Sequence, residues 1–131
     1  MTHVKDIMKG KIITVDHNES IRQACDKYKE HKVGSLIVTD KSDILGIVTE
    51  RDFIERTICM DKNPKTTKVK DIMSTEVMSI DINETIMKAV DIMKDKNIKK
   101  LPVTSNGALV GIITSTDIAY SRPSLKHFFN E

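Results

Sequence analysis

The stretch Val4-Lys5-Asp6-Ile7-Met8 recurs as Val69-Lys70-Asp71-Ile72-Met73, and the correspondence continues without a gap through Ile54 and Ala119. About 19 of roughly 51 aligned pairs are identical, which marks a tandem duplication. Duplication constrains the fold strongly, because whatever the first copy forms the second forms too. A unit of about 60 residues buries too little surface to be robust alone. Two such half-layers of strand and helix are therefore expected to pack on each other about a pseudo-two-fold axis, creating two related clefts.

One copy reads as β-α-β-β-α. Lys11 to Val15 is predicted as a short strand, and Asp16-His17-Asn18-Glu19 as a helix start with a capping box. Ile21, Ala24, Cys25 and Tyr28 recur at i, i+3, i+4, i+7, the spacing of an amphipathic helix. Ser35–Thr39 is a second strand, 40–43 a turn, and Ile44–Val48 its antiparallel hairpin partner. A second helix is predicted from about Glu50 to Cys59. In the second copy Val77–Ile80 is a strand, and Ile86, Ala89, Val90 and Met93 line a helix. Pro102 is expected at a sheet edge or strand start, where no ladder N–H is missed. The tail Ser121-Arg122-Pro123-Ser124 breaks the last helix, and Leu125, Phe128 and Phe129 form an apolar face that could dock on its own chain or on a second subunit.

Each copy ends alike: Gly46-Ile47-Val48-Thr49-Glu50-Arg51-Asp52 and Gly111-Ile112-Ile113-Thr114-Ser115-Thr116-Asp117. Thr falls where a strand ends and a helix begins, and Asp follows in the first turn. A hydroxyl, a carboxylate and free backbone N–H groups would meet there, a suitable place for a polar or phosphate-bearing ligand. The same residues also make a capping box that needs no ligand.

The composition excludes other classes. With 39% apolar and 31% charged residues the chain fits a globular protein rather than a disordered one. A net charge of +2 gives no strong pull toward nucleic acid or anionic membrane. No apolar run approaches the roughly 18 residues of a membrane span, and no signal-peptide apolar region follows Met1, so a cytoplasmic place is expected. Cys25 falls on an apolar helix face and Cys59 near a helix end; neither has metal-ligand spacing, and no disulfide is expected. His3, His17, His31 and His127 are scattered, so no metal site is expected from spacing. Met8, Met73, Met78 and Met93 read as core. No nucleophile–base arrangement or acid–base carboxylate pair is evident, so the chain is not expected to be an enzyme.

Taken together, the Val-x-Asp-Ile-Met openings, Ile12-Ile13-Thr14-Val15, Val33-Gly34-Ser35-Leu36-Ile37-Val38, Leu101-Pro102-Val103 and both Gly-Ile-x-Thr-x-x-Asp endings resemble a tandem pair of CBS domains, a Bateman module, over about Val4 to Tyr120. The resemblance implies an α/β (α+β) fold of two β-α-β-β-α units. The first would span 1–60, a linker 61–68, the second 69–120 and a tail 121–131. It implies a regulatory module that senses an adenosine-containing ligand: AMP, ADP or ATP foremost, with S-adenosylmethionine or NAD also possible. No obligatory cofactor is implied. The partners implied are a protein effector and a second copy of the chain in a homodimer, with no membrane or nucleic acid. The alternative is a ligandless interaction scaffold.

The resemblance also assigns residues. Asp52 and Asp117 would hold ribose hydroxyls, with Thr49 and Thr114 near ribose or phosphate. In the family each site borrows from the other unit. For Asp52 those positions are Thr75, Val77 and Met78, then Ile98, Lys99 and Lys100. For Asp117 they are Lys11, Ile12 and Ile13, then Val33, Gly34 and Ser35. Lys99 and Lys100 give the Asp52 site a positive charge that Gly34 and Ser35 do not supply at the other; they also fit a solvated corner.

Overall fold

The computed structural model describes residues 1–129. In chain order its elements are α1 (Val4–Ile7), β1 (Thr14–Asp16), α2 (Ile21–His31), β2 (Ser35–Asp40), β3 (Asp43–Thr49), α3 (Glu50–Phe53), β4 (Ile80–Asp81), α4 (Ile86–Lys96), β5 (Lys100–Ser105), β6 (Ala108–Thr114) and α5 (Ser115–Ser121). A π-helical turn, Ile54–Ile58, continues α3, and 3-10 turns cover Val69–Asp71 and Pro123–Phe128. The chain forms two compact units that are offset from the sequence repeats. One is Ile13–Val77; the other joins Met1–Ile12 to Met78–Glu131. The opening segment of each repeat thus packs with the body of the other repeat.

Within Ile13–Val77 the sheet order is β1-β2-β3, with β1 parallel and β3 antiparallel to β2. The central strand β2 is a continuous apolar run, Leu36-Ile37-Val38, as expected for a strand covered on both faces. The β2–β3 register shifts between Val38 and Thr39, where Val38 pairs with Gly46 but Thr39 with Ile44. Leu45 is therefore the extra residue of a bulge. Val15, Ile21, Ala24, Leu36, Val38, Val48, Phe53, Val69 and Ile72 form the core. Val69 and Ile72 arrive from the second repeat's opening, and Ser74 then pairs with Ile47 through two backbone bonds of 2.9 Å. This crossing explains the glycine that begins each repeated ending. A Cβ on Gly46 would stand 2.5 Å from the Ser74 carbonyl oxygen, and one on Gly111 2.7 Å from that of Lys9.

The other unit repeats the plan with β4-β5-β6 and a core of Val4, Ile80, Ala89, Val90, Met93, Leu101, Val103, Ile113 and Ile118. Here α1 supplies Val4, and Lys9 pairs with Ile112. Pro102 departs from expectation, since it lies inside the central strand β5, paired with Ile112. Its missing N–H can only face the β4 side, and β4 begins pairing one residue later, at Ile80 with Val103. In the first repeat the same level is paired, Thr14 with Ile37. The proline thus accounts for β4 being one residue shorter than β1.

Other expectations need correction. The first strand of each copy is shorter than predicted: Lys11, Ile12 and Ile13 precede β1, and Val77, Met78 and Ser79 precede β4. The cap of α2 is Ser20, with a reciprocal box to Gln23, and Asp16–Glu19 is a turn in which the Asp16 carboxylate accepts the Asn18 N–H at 2.9 Å. Asp16 fits that turn better because its side chain bonds its own backbone two residues on. Met78 is 39% exposed, unlike Met93. The predicted helix from Glu50 splits into α3 and its π turn.

The tail docks on its own chain. Leu125, Phe128 and Phe129 pack on the core of their unit, and Lys94 Nζ sits 4.8 Å over the Phe128 ring. Burial, then Asp26, raises the Cys25 thiol above its usual range, which suits a packing role; Cys59 is exposed, and both are free. Among the described residues no helix is long and apolar enough to cross a membrane.

Candidate ligand-binding site

Thr49 and Thr114 are the last residues of β3 and β6 and the caps of α3 and α5. Both make the full reciprocal box. The Thr49 N–H donates to Asp52 Oδ2 at 2.9 Å, and the Asp52 N–H to Thr49 Oγ1 at 3.3 Å. The Thr49 hydroxyl also donates to Asp52 Oδ2, at 3.2 Å. In the second copy the two reciprocal bonds measure 3.2 and 3.0 Å. The next N–H is engaged as well: Glu50 donates to the Gly34 carbonyl at 3.3 Å and Ser115 to that of Lys99 at 2.9 Å. The sequence predicts free N–H groups here; the cap and the lead-in to the unit's middle strand take up those of Thr49, Glu50 and Asp52, and of Thr114, Ser115 and Asp117.

What each site offers is the second carboxylate oxygen. Asp52 Oδ1 faces Arg56 Nε at 3.7 Å, one helical turn on, and the Asp52 side chain is 16% exposed. Arg56 is anchored from the other end, its guanidinium donating to the Ile72 carbonyl at 3.0 Å. Asp117 Oδ1 faces Lys9 Nζ at 3.1 Å, with the aspartate 11% and the lysine 71% exposed. Each carboxylate is therefore fixed by one oxygen and covered at the other by a cation whose own side chain reaches solvent. Such an oxygen can exchange the cation for a pair of O–H donors, since the carboxylate is acceptor-only and the cation's side chain reaches solvent.

Tyr28 ties this corner of Ile13–Val77 together. Its hydroxyl donates to the Val48 carbonyl, and its ring meets Phe53 edge-on at 4.8 Å. Burial, then the negative charges of Asp52 and Glu50, push its phenol well above the usual tyrosine range. The ring thus remains a neutral donor beside the carboxylate.

The other candidates distribute by unit. Ile13, Val33, Gly34, Ser35, Thr49, Asp52, Thr75 and Val77 belong to Ile13–Val77; Lys11, Ile12, Met78, Ile98, Lys99, Lys100, Thr114 and Asp117 belong to its companion. Inside each unit the backbone brings Gly34 to the Thr49 cap and Lys99 to the Thr114 cap. Thr75 and Val77 share a tight turn, with Val77 N–H on the Thr75 carbonyl at 3.0 Å. Lys99 is exposed, and Lys100 and Ser35 are half-buried. Sequence reasoning missed Lys9, Arg56 and the Tyr28 hydroxyl. Only Arg56 left a signal, as a base four residues after Asp52.

Comparison with known proteins places these features. The model of the CBS domain matches residues 4–58 and 69–123. The chain is 36% identical to uncharacterized protein MK0525 of Methanopyrus kandleri over 93% of its own length, and spans 63% of that relative. It is 33% identical to the CBS domain-containing protein YhcV of Bacillus subtilis, over 95% of this chain and 88% of that one. Among solved structures, the CBS-domain crystal structure NE2398 superposes with a TM-score of 0.83 at 26% identity, covering 92% of this chain and 96% of the other. With both copies matched by one family model, the two sheets in the same order, and relatives aligned over nearly its whole length, this chain belongs to the CBS-domain family and carries two CBS domains in tandem.

Proposed function

We propose that the chain is a regulatory binding module rather than an enzyme. It senses an adenosine-containing ligand, with AMP, ADP or ATP ahead of S-adenosylmethionine and NAD, and signals to a protein partner. The observation that supports this is the treatment of Asp52 and Asp117. Both carboxylates are held by one oxygen, and both turn the other toward a cation that a ligand can displace. An ionised carboxylate is acceptor-only and suits the two O–H groups of a ribose. Lys99 and Lys100 are the phosphate candidates.

A ligandless scaffold is the second reading. It draws support from the reciprocal capping boxes, which explain Thr49 and Thr114 without a ligand. The test is calorimetric titration and thermal melting with AMP, ATP, S-adenosylmethionine and NAD, on the wild type, Asp52→Asn and Asp117→Asn. A ligand at about 100 times its Kd stabilises by roughly 2.7 kcal/mol. On the sensing reading each substitution weakens binding by about 1.5–3 kcal/mol. On the scaffold reading no compound shifts the melt, and the substitutions cost only about 0.5–1 kcal/mol of stability.

A further inference from the structure

The end of β1 carries a cluster that neither the fold nor the nucleotide reading uses. Parallel pairing sets Asp16 beside Thr39, and the next N–H, that of His17, donates to the Thr39 carbonyl at 2.9 Å. This carries His17 to the last residue of β2, Asp40, with Nε2 3.6 Å from the Asp40 Oδ1. Asp16, His17 and Asp40 each present one ligand atom, and the three atoms lie within 4.8 Å of one another. Ligand atoms about 2.0–2.2 Å from a tetrahedral zinc stand roughly 3.3–3.6 Å apart. The His17–Asp40 edge already has that length. Asp40 is half exposed and free to close the remaining gap by a rotamer change.

The duplication supplies an internal comparison. The positions matching Asp16, His17 and Asp40 in the second copy are Asp81, Ile82 and Ser105. Asp81 retains the turn role, its carboxylate accepting the Asn83 N–H at 2.9 Å just as Asp16 accepts that of Asn18. The turn therefore explains the aspartate and one of its oxygens. It does not explain His17 or Asp40, since the same backbone forms with Ile82 and Ser105. The imidazole also has a side-chain hydrogen bond with the exposed Asn18 amide, 3.3 Å from Nε2.

We propose that Asp16, His17 and Asp40 bind one divalent transition-metal ion of the zinc class, with water completing its coordination. One imidazole and two carboxylates suit Zn²⁺, Co²⁺ or Mn²⁺ and neutralise the ion's charge, whereas Mg²⁺ and Ca²⁺ prefer all-oxygen sets. The site belongs to Ile13–Val77 alone and is independent of the nucleotide reading.

The test uses the full chain stripped with chelator, in a Cys59→Ser background because an exposed thiol would itself take zinc. Zn²⁺ is titrated calorimetrically, and Co²⁺ is followed by its visible d–d absorption. The expected result is one ion per chain and a raised Tm, with no effect of Mg²⁺. His17→Ala and Asp40→Asn should each weaken binding about tenfold or more, since even outer-shell partners are worth 10–100-fold. His127→Ala should leave it unchanged. Asp40→Asn alters an exposed side chain, so it reports on the site even if His17→Ala folds poorly. No saturable Zn²⁺ binding in the titration overturns the proposal. So does binding that survives the His17→Ala, Asp40→Asn double variant; His17 and Asp40 would then be an ion pair only.

Discussion

Lys9 Nζ stands 3.1 Å from Asp117 Oδ1, although the two residues lie near opposite ends of the chain. The pairing follows from the backbone bridge between Lys9 and Ile112, two 2.9 Å bonds that bring the first repeat's opening across the second repeat's last strand. The matching position in the other copy is Ser74, and there the carboxylate of Asp52 is served by Arg56 from its own helix instead.

Lys9→Met should cost less than about 1 kcal/mol of stability in urea, because the lysine is largely exposed and such pairs are screened. Adenosine, which lacks phosphate, should bind the Asp117 site of this variant at least as tightly as in the wild type, since no cation competes for Oδ1. Calorimetry showing a large loss for adenosine would mean that Lys9 itself holds the ligand.

Gly46→Ala and Gly111→Ala should each destabilise by about 1–3 kcal/mol, the usual cost of overpacking. An alanine in a strand would ordinarily be favoured over glycine. Here its methyl meets a backbone carbonyl oxygen that cannot rotate away. Urea unfolding of the two variants checks this, and a neutral or stabilising result would contradict so close a crossing.

Tyr28→Phe removes the hydroxyl's bond to the Val48 carbonyl and should cost about 0.5–1.5 kcal/mol. It should also change the alkaline limit. The folded phenol is held above its unfolded value near 10, so the unfolded chain loses this proton first as pH rises. The stability linked to Tyr28 is present below about pH 10 and lost above it. Wild-type unfolding free energy should fall across that range, and the fall should be smaller in Tyr28→Phe. Parallel pH profiles for the two proteins would remove tyrosine 28 from the explanation.

Ile54, Ile58 and Met60, close together in the chain, are 55%, 67% and 62% exposed. We expect a homodimer that covers them. Light scattering at micromolar concentration should give twice the chain mass, and Ile54→Arg with Ile58→Arg should halve it. A wild-type monomer would end the idea.

The sequence by itself determined the repeat, the order of elements in each copy, the hairpins and the two Thr-x-x-Asp caps. Those features are local: period-3.6 and period-2 patterns, turn residues and a box four residues long carry them. The apolar spacing of Ile21, Ala24, Cys25 and Tyr28 identifies α2 but not its start, because Asp16–Glu19 and Ser20–Gln23 offer the same box and only the turn at Asp16 decides between them. The sequence places Pro102 at an edge or strand start, because nothing in it says that β4 falls one residue short.

The tertiary structure decided what joins distant residues. The opening of each repeat packs with the body of the other, so Val69 and Val4 enter cores that sequence order would not assign them to. That crossing brings Lys9 to Asp117 and Ser74 to Gly46, and the parallel pairing of β1 with β2 brings Asp40 to His17. Sequence spacing is silent on such contacts, since strand pairing is fixed by burial and register across the sheet rather than by separation along the chain.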